Sequence, residues 1–107
     1  MSVHVVMLYT TPENAVEFDE YYLNSHMPLA NSIPGVRSSR TGVVLGSADG
    51  SPSVYHRLTV MQFDDADSVG HAFASEEGRL AAADYASFAP EGSMMVLWDD
   101  SDGSPSA

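Results

Sequence analysis

Val3 to Tyr9 is apolar throughout except at His4 and rich in β-branched residues, a pattern that predicts a short strand. Polar residues then take over. Thr11 stands as an N-cap, Pro12 at the first helical position and Glu13 in the first turn, where the helix dipole favours a carboxylate. The spacing that follows predicts a helix from Pro12 to about Met27, with Pro28 ending or kinking it. Pro34-Gly35 marks a turn, and Val36 to Leu45 reads as a second strand. Residues 47–53, Ser-Ala-Asp-Gly-Ser-Pro-Ser, are turn chemistry before a third strand from Tyr55 to Phe63. Its alternation puts Tyr55, Arg57, Thr59, Met61 and Phe63 on one face and His56, Leu58, Val60 and Gln62 on the other. Asp64, Asp65 and Asp67 open a second helix with Val69, Ala72 and Phe73 as its apolar stripe. Ser75 caps a further helix in which Ala81, Tyr85 and Phe88 share a face, and Ser93 to Trp98 forms a fourth strand.

The order β-α-β-β-α-β is the α+β, ferredoxin-like arrangement, a four-stranded sheet with its helices on one face. Yet the first and fourth strands are apolar on both faces. Val3, Val5 and Met7 back onto Val6 and Leu8, and Met94, Val96 and Trp98 onto Met95 and Leu97. Strands of that kind are buried on both sides. A second copy of the same sheet is the simplest cover, so the pattern alone predicts a homodimer. Residues 1–99 read as one domain and 100–107 as an acidic, flexible tail.

Chemistry concentrates in Phe18-Asp19-x-x-Tyr22-x-x-x-His26-x-Pro28-Leu29. At about 100° per residue, Phe18, Leu29, Tyr22 and Ala15 share a narrow stripe, with His26 and Asp19 at its edge. Asp19 and His26 lie about 10 Å apart along a straight helix and cannot bond, whereas Tyr22 and His26 can touch. An imidazole where a plain core takes Leu or Val is either a hydrogen-bonded core histidine or a general acid/base at the wall of an apolar pocket. Tyr22 either orients it or packs in the core. His56 is a second candidate acid/base and Arg57 a candidate anion-binding group, the alternative for Arg57 being a structural ion pair. Regular strand geometry sends these two to opposite faces, so they cannot both point into one pocket.

Composition removes other classes. Fifteen carboxylates against four basic residues, all arginine, give a formal net charge of −11, which repels nucleic acid and anionic membranes. The absence of lysine excludes a side-chain Schiff base and a P-loop. The absence of cysteine excludes disulfides, thiolate catalysis and Cys-based zinc sites. The histidines form no metal-binding spacing, His4 and His71 read as inert, and Asp64-Asp65-x-Asp67 is helix capping rather than a calcium loop. Neither a Gly-x-Gly-x-x-Gly nucleotide cradle nor a Gly-x-Ser-x-Gly nucleophile elbow occurs, which argues against a nucleotide-dependent reductase and a serine hydrolase of that type. With no basic leader and no apolar run of membrane-spanning length, the expectation is a soluble cytoplasmic protein.

Together the helix motif, the turn Ile33-Pro34-Gly35-Val36, and the later Tyr55-His56-Arg57, Phe63-Asp64, Ser75-Glu76-Glu77-Gly78 and Ala83-Asp84…Phe88 resemble the EthD family of the dimeric α/β-barrel superfamily. The resemblance runs to about Asp99. It implies ferredoxin-like protomers pairing through their sheets to form a dimeric α/β barrel, with a small pocket in each between sheet and helices. It also implies cofactor-independent chemistry on a small hydrophobic aromatic, lactone or polyketide-like compound: elimination, isomerisation, cyclisation or decarboxylation. Cofactor-free oxygenation and a non-catalytic binding module are the alternatives. Asp84 matches the family's Ala-Asp position and could hydrogen-bond a pocket group, or serve as a helix-surface carboxylate. An acidic residue is expected at the middle of the third strand, where this chain has Val60, so no second carboxylate carries over from there. The expected pocket is dry, walled by Tyr9, Phe18, Tyr22 and His26, with Met61, Phe73 or Phe88 from the later elements.

Overall fold

β1 (Val3–Thr10) is the spine of the molecule. In the computed structural model, which describes residues 2–101, it pairs antiparallel with β3 (Tyr55–Phe63) on one side and β4 (Met94–Asp99) on the other. β2 (Ser38–Val43) joins the outer edge of β3, giving the sheet order β2-β3-β1-β4. The chain is an α+β, ferredoxin-like protein. The two edge strands are one or two residues displaced from the sequence expectation at their ends. Beyond β4, the Asp100 N–H donates to the Ser2 carbonyl and its carboxylate accepts from His4, so position 100 is tied to the start of β1. The rest of the expected tail, residues 102–107, lies outside the described residues.

Period-two alternation fixes the faces. Val3, Val5, Met7 and Tyr9 of β1 and Arg57, Thr59, Met61 and Phe63 of β3 are buried under the helices. The opposite face carries Val6, Leu8, Leu58 and Val60 with Met94, Val96 and Trp98, the last three between 43% and 48% exposed. No element of this protomer lies over it among the described residues. A hollow of about 480 Å³ there is lined by His4, Arg40, Leu58, Val60, Gln62 and Trp98, among others.

The first helical run departs from the sequence reading at both ends. It starts at Ala15, with Asn14 rather than Thr11 as the cap; the Asn14 side chain accepts from the Glu17 N–H at 3.1 Å, while Thr11 is held by the Val54 carbonyl. Nor does it stop at Pro28. α1 (Ala15–Tyr21) passes into a π-helical turn, Tyr22–His26, and then into α2 (Met27–Asn31). Pro28 has no N–H to give to a carbonyl one α-turn back, and it sits in the first turn of α2, where proline is tolerated. The π turn takes up the mismatch, with the Met27 N–H reaching the Tyr22 carbonyl. The inserted residue rotates everything after it. Met27 and Ala30 are buried, while Leu29, expected on the stripe, is only partly covered.

The second layer is α3 (Ala66–Ala74), capped by Asp65, and α4 (Glu76–Phe88), capped by Ser75. Gly78 lets them cross closely: a Cβ there would stand 2.0 Å from the Ala72 carbonyl oxygen. Only glycine fits that approach. No helix among the described residues is long and apolar enough to cross a membrane.

Candidate functional site

The π turn determines what the first helix presents. Bonding from i to i+5 advances each residue by less than the α-helical angle, so Tyr22 and His26 point the same way, into the helix–sheet layer. Tyr22 is fully buried and His26 only 3% exposed, with their ring centroids 5.4 Å apart. The His26 Nδ1–H donates to Asp84 Oδ2 on α4 at 2.8 Å. The other oxygen of Asp84 accepts from the Tyr21 hydroxyl. A carboxylate on Nδ1 fixes the ring and leaves Nε2 as the basic nitrogen. Nε2 has no hydrogen-bond partner among the described residues. His26 can therefore take a proton at one atom while Asp84 stabilises the resulting imidazolium from behind.

A second polar network crosses the same layer beside the dyad. Tyr22 O–H donates to Thr59, Thr59 to Thr41 at 2.9 Å, and Thr41 to the Leu58 carbonyl. Arg57 is 4% exposed and donates through NH1 to Thr41 at 2.9 Å and through Nε to Asp19 at 3.1 Å, with its guanidinium 5.3 Å from the Tyr22 ring centroid. The same Asp19 oxygen accepts from His56 Nε2 at 2.9 Å. The expectation that His56 and Arg57 face opposite ways is thus corrected. The β1–β3 register shifts between Tyr9 and Thr10, which pair with Arg57 and Tyr55, leaving His56 as the extra residue of a bulge. A bulge re-aims a side chain that alternation would send across the sheet. Burial alone would raise the Asp19 carboxyl, but hydrogen bonds from His56 and Arg57 prevail and hold it below the usual carboxylate range.

Tyr9, Phe18, Tyr22 and Phe88, expected around a pocket, instead pack against one another. Tyr9 has its centroid 5.6 Å from Phe18, 5.1 Å from Tyr22 and 5.7 Å from Phe88. Edge and stacked pairs of this kind each add about 1 kcal/mol beyond burial. Phe88 also covers His26, at 4.7 Å. The Tyr9 hydroxyl is buried beside Tyr22 without a partner at hydrogen-bonding geometry, and its burial drives its acidity far below that of an ordinary phenol.

The open space lies on the other side of His26. A cavity of about 20 Å³ is bounded there by His26, Met7, Met61, Met95, Phe73 and Ala82, among others. The structure thus brings His26, Asp84, Met61 and Phe73 to one place and His56, Arg57 and Tyr22 to another. Tyr22, whose ring centroid lies 5.4 Å from that of His26, belongs to the aromatic cluster and joins the two. Tyr21 and Thr41 escaped the sequence reading. A regular wheel turns Tyr21 off the apolar stripe, and Thr41 is an unremarked threonine in an exposed edge strand. Among the described residues no group of three His, Asp or Glu side chains is placed to hold a metal ion.

A ferredoxin-like sheet lies under helices that bring His26 of the π turn against Asp84 of α4. The EthD domain model matches residues 11–91, and the chain belongs to that family. It is 38% identical over 96 residues to an 11.0 kDa protein from the thcB–thcC intergenic region of Rhodococcus erythropolis, covering 90% of this chain and 92% of that one. An EthD family protein from Bacillus halodurans superposes with a TM-score of 0.88 at 31% identity, over 94% of this chain and all of the other. A dimeric ferredoxin-like protein from Thermobifida fusca shares the fold at a TM-score of 0.68 and 20% identity, over 92% and 90%. So does the hydroxynitrile lyase of Passiflora edulis, at 0.75 and 15%, over 97% and 96%. The fold therefore houses at least one enzyme.

Proposed function

We propose that this EthD protein is a cofactor-independent enzyme that moves a proton on a small hydrophobic molecule, with His26 as general acid/base and Asp84 as the residue that orients it. One observation carries the reading: a buried imidazole has one nitrogen fixed by a carboxylate and the other unpartnered among the described residues, in the wall of a small apolar cavity. Nε2 is not among the buried unpartnered atoms of the described residues, so it is left accessible to a bound molecule. The hydroxynitrile lyase likeness supports the fold as a frame that can house an enzyme and says nothing of this chain's substrate. The reaction class is elimination, isomerisation, cyclisation or decarboxylation.

The same protomers pair, in this reading, through the open sheet face. Trp98, Val96 and Met94 lie exposed on it, and the Thermobifida relative is dimeric. Replacing His26 by Gln tests the catalytic assignment. Turnover falls by about 10²–10⁴-fold with the fold and dimer retained. Unchanged turnover in a folded His26→Gln protein contradicts it.

A further inference from the structure

The cavity beside His26 constrains what the dyad can act on, and the argument rests on the catalytic reading above. His26 is the one polar side chain in its lining; the rest are Met, Ala, Ile and Phe. A charged group entering it would lose its water and find no permanently charged partner, because this chain has no lysine and the nearby Arg57 is already bound to Asp19 and Thr41 across the Tyr22 ring; a neutral His26 ring offers none until it has taken a proton. Asp84 behind the imidazole adds a further repulsion for an anion. Even a water molecule there would meet a single polar partner, fewer than the two to four that hold buried water.

We infer that the molecule reaching His26 is an uncharged carbon acid that seats a short aliphatic arm in this cavity, and that carboxylate-bearing substrates are excluded, which removes decarboxylation from the reaction classes proposed above. At about 20 Å³ the space is far short of the ~150 Å³ that accommodates benzene, so the arm is of methyl or ethyl size unless the wall yields. The wall is built to yield modestly. Three of the six methionines, Met7, Met61 and Met95, line it, and their unbranched side chains shift at little cost. In the proton-transfer step the substrate C–H bond breaks, its electron pair stays on carbon as a conjugated anion, and the proton passes to His26 Nε2. The charge then sits as an ion pair between substrate and imidazolium. The same proton returns to another carbon in an isomerisation; in an elimination the carbanion pair forms the new carbon–carbon double bond while the β leaving group departs with the pair of its own broken bond and takes up the proton from His26.

The test uses the full-length protein with methyl-labelled methionine and three probes of similar size: butanone, butyrate and butylammonium. Butanone should shift the methyl signals of Met7, Met61 and Met95 saturably, and the two ions should bind at least about tenfold more weakly. Ala82→Leu, at an exposed helix position on the cavity wall, should abolish the butanone shifts without altering the melting temperature. Butyrate binding as strongly as butanone overturns the inference, as does an absence of any butanone effect up to its solubility limit. These readouts need no turnover. Failure of His26 as the base, tested by His26→Gln, therefore stays distinguishable from failure of the cavity.

Discussion

His56 and Arg57 are adjacent on β3, yet both donate to one oxygen of Asp19. The bulge at His56 makes this possible, and the consequence is a buried arginine whose charge is neutralised from the first helix. Removing the carboxylate leaves that guanidinium uncompensated. Asp19→Asn should therefore destabilise the protein by about 3 kcal/mol, read as a lowered midpoint in urea. The pH dependence has a definite sign. The folded state holds Asp19 below the ordinary carboxylate value, so its contribution is complete above about pH 4 and is lost as pH falls through the depressed value. Asp64, held down by Arg37, and Asp100, held down by His4, act in the same direction. Acid unfolding should begin below pH 4 and shift upward in Asp19→Asn. A variant as stable as the parent at neutral pH would show that Arg57 finds another partner.

Tyr9 gives the opposite case, a buried hydroxyl without a partner. Tyr9→Phe removes a desolvated polar group and keeps the ring packed on Phe18, Tyr22 and Phe88. Stability should stay level or rise by up to about 1 kcal/mol. Because folding raises the Tyr9 pKa, its contribution is intact below pH 10 and lost as pH rises beyond, where the unfolded chain ionises. The parent should unfold in alkali with phenolate absorbance rising cooperatively, and Tyr9→Phe should resist to higher pH. A loss of several kcal/mol on substitution would mean that the hydroxyl has a partner.

Pairing through the open face predicts a mass in solution of twice 11.4 kDa. Val60 lies centrally on that face, opposite Val6 of β1 and Arg40 of β2. Val6→Asp, opposite Val60 and Val96 on the same face, adds a carboxylate to the covered surface and should give a folded monomer or a dimer at least about a hundredfold weaker. Light scattering that finds the parent monomeric at micromolar concentration contradicts the pairing.

Much of this architecture was legible in the sequence. Two-residue alternation in β3 placed Arg57, Thr59, Met61 and Phe63 on one face without reference to distant contacts, and Asp65 and Ser75 announced the starts of α3 and α4. Three things were not legible. The π turn leaves no compositional mark at Tyr22–His26, although Pro28 just beyond it was a cue that something must absorb a missing N–H. The bulge at His56 depends on the register of two strands that are about fifty residues apart. Residue type alone cannot distinguish a pocket wall from a packed core, so the packing of Tyr9 on Phe18, Tyr22 and Phe88 has no mark in the sequence. For the site, the sequence pointed to His26 and Asp84 separately. Their bond needed the tertiary packing of α4 against the π turn.

Solvent-deuterium exchange tests His26 as a proton carrier most directly, because it requires no knowledge of the natural product. Small uncharged ketones, lactones and nitriles are incubated with the protein in D₂O, and loss of their acidic C–H signals is followed by NMR. The parent should catalyse exchange into at least one compound. His26→Gln should reduce that rate by about 10²–10⁴-fold, and Asp84→Asn should reduce it by a smaller factor, with both variants folded. Equal exchange by the parent and a folded His26→Gln protein would contradict the account.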